Sequence, residues 1–262
     1  MREFTFEFPT RVIARLLGLP EDDLPFFRKH AVEIINYTAD VQRAFTASTA
    51  LQEYFQAQID RRRATPTSDI IGDLVAAEID GEKLTDEAIY SFLRLLLPAG
   101  LETTYRSSGN LLYLLLTHPD QFAAVRRNRE LISAAIEEGL RYETPLTLVQ
   151  RTVTADTELD GVRLPRGAVL DICLGAANRD EQRWERPGEF DIFRKRIPHL
   201  SFTAGVHTCL GLHLARMETR VALERLLDRV HGITLTTDGD PHIAGQPFRS
   251  PNRLPITFES VG

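Results

Sequence analysis

Cys209 lies where an irregular, glycine-containing segment gives way to a helical pattern. Its sulfur is therefore expected near free backbone N–H groups and the positive end of a helix dipole. Such surroundings stabilise a negative sulfur, the form of cysteine that binds metals. Gly205 and Gly211 flank the cysteine, and glycine permits both a positive φ and a close approach to a flat ligand. The pattern indicates a thiolate ligand, although taken alone it also fits a structural cysteine.

Two further groups combine residue types that could do chemistry. Glu102 and Thr103 place an acid beside an alcohol in a long helical pattern, which suits proton delivery and hydrogen bonding. A threonine that bonds back to its own helix and a solvated glutamate are the alternative. Glu138 and Arg141, at i and i+3, share a helix face and can form an ion pair.

The elements that must carry these residues change in character near residue 145. Before it, apolar residues recur at helical spacing through 45–59, 89–116 and 131–140. The longest pattern begins at Thr85, a plausible N-cap, and contains Pro98, where we expect a bend or local opening. We therefore expect a mainly α protein that forms one continuous unit over 1–262, helical over 1–145.

The part from 146 to 262 predicts small β-sheets followed by a loop and a last helix. Residues 149–153 and 169–173 alternate as short strands do, and 233–235 and 255–258 close the chain as further strands. Residues 175–208 have little periodicity and read as a long ordered loop. After Cys209, one apolar helix face is formed by Leu210, Leu214, Met217 and Val221.

Composition limits the class of protein. The net charge of −6 argues against a nucleic-acid binder, and no apolar run is long enough for a membrane span. The first eleven residues lack the pattern of a secretory leader. Only two cysteines are present, which favours a reducing cytoplasm. The second of them, Cys173, lies in an apolar run and is expected to be a small buried side chain without a function.

The segment FTAGVHTCLG, residues 202–211, is similar to the haem-binding loop of the cytochrome P-450 family, F-x-x-G-x-H/R-x-C-x-G. Upstream, EGLR at 138–141 resembles that family's ExxR motif, and AGLETT at 99–104 resembles its oxygen-activation motif. Thr203 departs from the pattern, because bacterial members usually have glycine there. The order and spacing of the three motifs imply a bacterial haem-thiolate protein with the P-450 fold.

The resemblance implies a role for each matching residue. Cys209 is the expected iron ligand of haem b, in a loop that includes Phe202, Gly205 and Gly211. His207 and Arg151 are the expected partners of the haem propionates. A structural role is implied for Glu138, Arg141 and Arg194, which would stabilise the fold and the haem pocket.

The resemblance assigns the remaining residues to the oxygen and substrate side of the haem. Gly100, after Ala99, would leave room for dioxygen, Thr103 would hydrogen-bond the bound oxygen, and Glu102 would help to deliver protons. An apolar wall of the substrate site is expected from Leu146, Thr147, Leu148 and Val149. A zinc site made by His207, Cys209 and His213 is a competing reading, but it leaves the glycines and the upstream motifs unexplained.

The resemblance begins inside the family's sequence, since residues 8–20 are similar to a segment in the middle of a complete enzyme. We therefore expect a chain that lacks the N-terminal third, with self-association through the surface so exposed. The implied activity is a monooxygenase that inserts one oxygen atom of O2 into an apolar small molecule. The expected electron donors are a ferredoxin and an NAD(P)H-dependent ferredoxin reductase. The alternative is a truncated haem-binding pseudoenzyme without turnover.

Overall fold

The computed structural model describes residues 7–37 and 39–260, except for the side chain of residue 260. The described chain divides into two compact units, an N-terminal unit up to residue 105 and a C-terminal unit from residue 106. The first six residues, on which the expectation about a leader partly rests, lie outside the described part. The organisation as one continuous unit stays a prediction.

The N-terminal unit is built almost entirely of helices. They are α1 (Glu7–Leu16), α2 (Leu24–Ile35), α3 (Val41–Ala64), α4 (Ile70–Ala76) and α5 (Asp86–Thr117), of which α5 continues into the C-terminal unit. A short hairpin precedes α5 and consists of β1 (Glu78–Ile79) and β2 (Glu82–Lys83). A 3-10 turn covers Glu21–Asp23. The predicted helical character of this part is confirmed.

Helix α5 begins as the sequence predicts. The hydroxyl of Thr85 accepts a hydrogen bond from the backbone N–H of Ala88 at 3.2 Å, which caps the first turn. The helix is uninterrupted across Pro98, so no local opening of the helix is seen there. Buried leucines and an isoleucine recur every fourth residue along one face and form part of the core: Ile89, Leu93, Leu97 and Leu101.

The C-terminal unit combines helices with small antiparallel sheets. Its further helices are α6 (Pro119–Arg127), α7 (Ile132–Tyr142), α8 (Leu174–Ala177) and α9 (Leu212–Arg229). The paired strands are β3 (Leu148–Thr152) with β6 (Val169–Cys173), β4 (Thr157–Leu159) with β5 (Val162–Leu164), β7 (Val230–Leu235) with β10 (Ile256–Ser260), and β8 (Ile243–Ala244) with β9 (Ser250–Pro251). The predicted strands of this part are confirmed, and most of 178–204 is irregular as expected.

One hydrophobic core holds the C-terminal unit together. It packs α7 and α9 against the end of α5, against α6 and against the long loop, with Leu115, Ile136, Phe190 and Leu227 among its buried members. Phe202 of the cysteine loop packs on its border. The loop is thereby anchored to the core seven residues before Cys209.

The apolar face predicted for the last helix is not the face that packs. Leu210, Met217 and Val221 are exposed, whereas Leu223 and Leu227 are buried. The two sets lie on different sides of α9 because each residue advances the helix by about 100°. The face of α9 that packs against α7 is therefore the one that carries Leu223 and Leu227, although this face has fewer apolar residues in the first turns of the helix.

The prediction for Cys173 is wrong as well. The cysteine is exposed at the end of β6, opposite Leu148 of β3. Alternation buries a side chain only where a second layer covers the sheet. Most of β6 is exposed within the described chain, so the apolar character of its residues does not indicate that they are buried.

Helix α9 also buries a carboxyl group that the sequence did not indicate. Glu218 is 4% exposed, and its Oε2 has no hydrogen-bond partner among the described residues. Burial disfavours the charged form and raises the pKa of Glu218 to about 7. A raised pKa means that the folded state favours the protonated acid.

We predict that Glu218 makes the protein less stable as the pH rises. Its contribution is fully present below the unfolded pKa of 4.5 and is lost as the pH rises through about 7. Because one pKa unit corresponds to about 1.4 kcal/mol, Glu218→Gln should remove a loss on the order of 3 kcal/mol between these values. Urea unfolding at pH 5 and pH 8 measures the effect. Glu224→Gln, a change at a half-exposed carboxylate paired with Arg220 on the same helix, is the control. The prediction would be contradicted if the free energy of unfolding changed equally between pH 5 and pH 8 in the two variants.

Candidate functional site

The cysteine loop is held by backbone hydrogen bonds on both sides of Cys209. The Cys209 N–H donates to the Phe202 carbonyl at 2.9 Å, and a 3-10 turn covers Gly205–His207. Helix α9 begins at Leu212 with Gly211 as its N-cap, so the helix starts two residues later than the sequence predicts. The half-buried Cys209 thiol is free and lies just before the first turn.

Two residues of this loop adopt the left-handed backbone conformation. Gly205 has a φ of 67°, which glycine adopts at little cost. Thr203 has a φ of 57°, a conformation that is unfavourable for a β-branched residue. Its hydroxyl donates a hydrogen bond to the carbonyl of His207 across the turn. The threonine therefore adopts a backbone conformation that glycine would adopt at little cost, and it adds a hydrogen bond that glycine lacks.

The loop leaves the space that a flat cofactor needs. A Cβ added to Gly205 or Gly211 would meet no heavy atom within 4 Å, so protein packing does not explain either glycine. Val206 is 98% exposed and Leu210 is 76% exposed on either side of the cysteine. A free thiol between two open glycines fits haem with Cys209 as the iron ligand.

His207 and Arg151, the expected propionate partners, both lie in the C-terminal unit. His207 is exposed at the end of the 3-10 turn, two residues before the ligand. Arg151 lies in β3 and donates to the Gln150 carbonyl at 2.7 Å. A guanidinium carries five N–H donors, so this bond leaves others for an anion.

The structural trio is assembled as the sequence predicts. Arg141 is 1% exposed and forms two hydrogen bonds with the Glu138 carboxylate, at 2.8 and 2.7 Å. Arg194 reaches Oε1 of the same carboxylate at 3.2 Å. The backbone N–H of Asp191 donates to this oxygen at 3.0 Å. One buried carboxylate thus joins α7 to the loop.

Arg141 also holds the loop through its backbone. The guanidinium donates to the carbonyls of Asn178, Pro187 and Glu189 at 2.9–3.0 Å. It lies 5.2 Å from the ring of Trp184, which packs over it. The loop has little secondary structure of its own, so these bonds fix its path.

The α5 motif lies in the N-terminal unit. Glu102 is buried, in contrast to the solvated glutamate of the alternative reading. The Thr103 hydroxyl donates to the Ala99 carbonyl at 2.8 Å, as that alternative expects for the threonine. The oxygen of a hydroxyl that donates in this way can still accept a hydrogen bond. The space beside Gly100 is taken by Ile13, since an added Cβ would lie 2.4 Å from Ile13 Cδ1.

The expected substrate wall pairs with a segment that the sequence analysis did not single out. Leu146 bridges to Phe248, and Thr147 donates both its N–H and its hydroxyl to the Pro247 carbonyl, at 2.8 and 2.9 Å. Leu148 and Val149 belong to β3. An open cavity of about 430 Å³ is lined in part by Thr147, Leu148 and residues 245–246. The contact joins positions about 100 residues apart, so no local pattern could reveal it.

A second group missed by sequence reasoning surrounds the cysteine loop. Glu137, His199 and Arg216 form a polar cluster next to Phe202. Glu137 directly precedes the motif at 138–141, and His199 lies three residues before the motif at 202–211, which was the available signal.

Within residues 7–37 and 39–260, no group of three His, Cys, Asp or Glu side chains could hold a metal, so the zinc hypothesis finds no support. In the same part of the chain, we found no helix with the length and apolar character of a transmembrane span.

We predict that Thr203 is strained and that its hydroxyl offsets part of the strain. Thr203→Val keeps the branched side chain at positive φ and loses a hydrogen bond worth about 1 kcal/mol. Thr203→Gly loses the same bond but removes the steric cost, about 1–2 kcal/mol. The glycine variant should therefore be the more stable of the two by about 1 kcal/mol in urea unfolding.

Thr208→Val is the matched control for the lost hydroxyl. Its hydroxyl donates to the Gly205 carbonyl at 2.8 Å, while its φ of −53° is unstrained. Thr208→Val should cost about as much as one hydrogen bond. Equal stability of the glycine and valine variants at 203 would show that the backbone there is not strained.

Comparison with known proteins identifies the family. The family model described as cytochrome P450 matches residues 15–247. The biotin biosynthesis cytochrome P450 of Bacillus subtilis (strain 168) is 38% identical over 264 residues, covering 98% of this chain and 66% of that protein. The vitamin D3 dihydroxylase of Streptomyces griseolus is 36% identical over 259 residues, covering 98% of this chain and 64% of that protein.

Solved structures agree with this assignment. The crystal structure of P450BioI in complex with hexadec-9Z-enoic acid ligated acyl carrier protein matches with a TM-score of 0.90 and 36% identity, covering 98% of this chain and 67% of that chain. The chain spans about two thirds of the length of the curated relatives it matches. It belongs to the cytochrome P450 family and has the fold of that family.

Proposed function

We propose that this chain is the haem-thiolate part of a monooxygenase that inserts one oxygen atom of O2 into an apolar small molecule. The observation that carries the proposal is the free thiol of Cys209, a residue whose backbone N–H donates to the Phe202 carbonyl and which lies between two glycines with open space beside them. The proposed cofactor is haem b. When bound, the haem supplies the reductive activation of dioxygen that the family's chemistry requires.

The residues of the C-terminal unit would bind and orient the cofactor. Cys209 would ligate the iron through its sulfur, and a thiolate ligand increases electron density on the metal. His207 and Arg151 offer hydrogen-bond donors to the two propionates. The hydrogen bond from the Cys209 N–H to Phe202 fixes the backbone of the ligand residue.

The residues of α5 would handle protons. Glu102 is buried, as a carboxyl group must be if its proton transfer is to be separated from bulk solvent. Thr103 has its own proton directed to the Ala99 carbonyl, so its oxygen is oriented to accept a hydrogen bond. Ala99 supplies the carbonyl for this bond, whereas the room expected beside Gly100 is filled by Ile13.

The substrate proposal rests on the β3 region. Leu146 bridges to Phe248, and Leu148 contributes an apolar side chain to the open cavity, whose lining also includes the polar Glu143 and Arg179. Clefts that combine apolar side chains with polar groups that fix orientation are typical of small-molecule sites. The relative that carries the name vitamin D3 dihydroxylase supports the same apolar class. We propose hydroxylation or epoxidation of such a molecule.

A ferredoxin and its NAD(P)H-dependent reductase are the proposed electron donors. Met217, an exposed apolar side chain of α9, offers an uncharged contact in the helix that follows the ligand. Self-association stays a prediction. Two free cysteines support a reducing cytoplasm as the location.

We predict that Cys209→Ser abolishes the thiolate-type absorbance band of the reduced, carbon-monoxide-treated protein. A serine hydroxyl cannot replace the thiolate as an electron-rich ligand. Cys173→Ser should leave the band unchanged, because the exposed Cys173 belongs to β6 and not to the ligand loop. A thiolate-type band that persists in the Cys209 variant would overturn the proposed function.

For Thr103, we expect an effect on coupling and not on cofactor binding. Thr103→Ala should increase the hydrogen peroxide released per NAD(P)H consumed by several-fold, with haem content unchanged. Thr117→Ala is the control, since Thr117 makes the same bond to the carbonyl four residues earlier in α5. If both variants release peroxide at the wild-type ratio, Thr103 has only a packing role.

A further inference from the structure

A polar cluster lies beside the cysteine loop within the C-terminal unit. Arg216 of α9 forms two hydrogen bonds with the Glu137 carboxylate of α7, at 2.6 and 2.8 Å. The buried ring of His199 brings its Nε2 to 3.4 Å from the same carboxylate. These residues hold α9 and α7 together through paired charges, in the manner of a planar guanidinium on a carboxylate.

Glu137 and Arg216 form the charged pair of the cluster. Burial alone would raise the pKa of Glu137, but His199 and Arg216 outweigh it and lower the pKa to about 2. The Nδ1 of His199 accepts from the Ser201 N–H at 3.2 Å, so in the neutral ring the proton lies on Nε2 and faces the carboxylate. Glu137 is therefore a carboxylate, and Arg216 is its cationic partner.

Arg216 is also connected to the ligand residue. Its guanidinium carbon lies 4.5 Å from the centre of the Phe202 ring. The Phe202 carbonyl accepts the hydrogen bond from the Cys209 N–H at 2.9 Å. The pKa of Arg216 is raised, first by its hydrogen bond to Glu137. The cation is thus held against the ring of the residue whose carbonyl fixes the Cys209 backbone.

We propose that Arg216, oriented by Glu137 and stacked on Phe202, is a positioning residue that holds the ligand loop in place and keeps a cation beside it. The inference rests on the proposed function, because it concerns the ligand of the haem iron. The proposed role needs both the ion pair with Glu137 and the stack on Phe202. Glu137 fixes the plane of the guanidinium, and Phe202 transmits its position to the cysteine backbone.

The test compares Arg216→Gln, which removes the charge, with Arg216→Lys, which keeps the charge but loses the planar stack. The control is Arg220→Gln, one turn further along α9, where the arginine is 58% exposed and paired with Glu224. Two quantities are measured on the haem-loaded proteins: the reduction potential of the haem and the fraction of the carbon monoxide complex with the thiolate-type band.

A cation beside the ligand loop favours the more negative, reduced state of the site, so Arg216→Gln should shift the potential to more negative values. It should also increase, several-fold, the fraction of the carbon monoxide complex that lacks the thiolate-type band. Arg216→Lys should keep the potential of the Arg220→Gln control, while the fraction that lacks this band still rises. The lysine variant alone keeps the proposal testable if the glutamine variant does not fold.

The outcomes separate this inference from the proposed function. If the wild-type protein itself gives no thiolate-type band, the proposed function fails. If the wild-type band is present and both Arg216 variants match Arg220→Gln in potential and band, the positioning role is wrong. A lysine variant that matches the control in both quantities would show that the stack of Arg216 on Phe202 does not contribute to this role.

Discussion

The C-terminal unit depends on one buried guanidinium. Arg141 is almost fully buried, and its charge is balanced by Glu138 and by three loop carbonyls. Burying one charge without a partner is costly, whereas a pair with satisfied donors is tolerated. The loop over 178–204 supplies those acceptors only when it follows its observed path. The pair therefore couples the fold of α7 to the conformation of the segment that leads to Cys209.

Phe202 connects that scaffold to the candidate site. Its ring packs on the hydrophobic core and against Arg216, while its carbonyl accepts from Cys209. Thr203 follows in a strained conformation that its hydroxyl bond to His207 supports. Strain in a loop persists only where the surroundings determine it, and here the core and the helix do so on either side. The ligand residue is thus held by a rigid loop and not by the helix dipole alone.

Much of this was predictable from residue types and spacing. The helices were found because apolar residues recur at helical spacing, and α5 was placed by its Thr85 cap. Strands β3 and β6 were found from alternation. The pairing of Glu138 with Arg141 followed from their separation of three residues on one helix. These features are local, so the chain specifies them over a few neighbouring residues.

The tertiary structure decided the features that depend on distant partners. Apolar spacing in α9 could not tell which face α7 would cover, so the exposed stripe was taken for the packed one. Burial of Cys173 depended on a layer over β6 that alternation cannot report, whereas the burial of Glu218 has no sequence signal at all. The cluster of Glu137, His199 and Arg216 joins three segments over 79 residues, and only the folded chain brings their charges together. Sequence alone determined which residues could do chemistry, and packing determined how each is held.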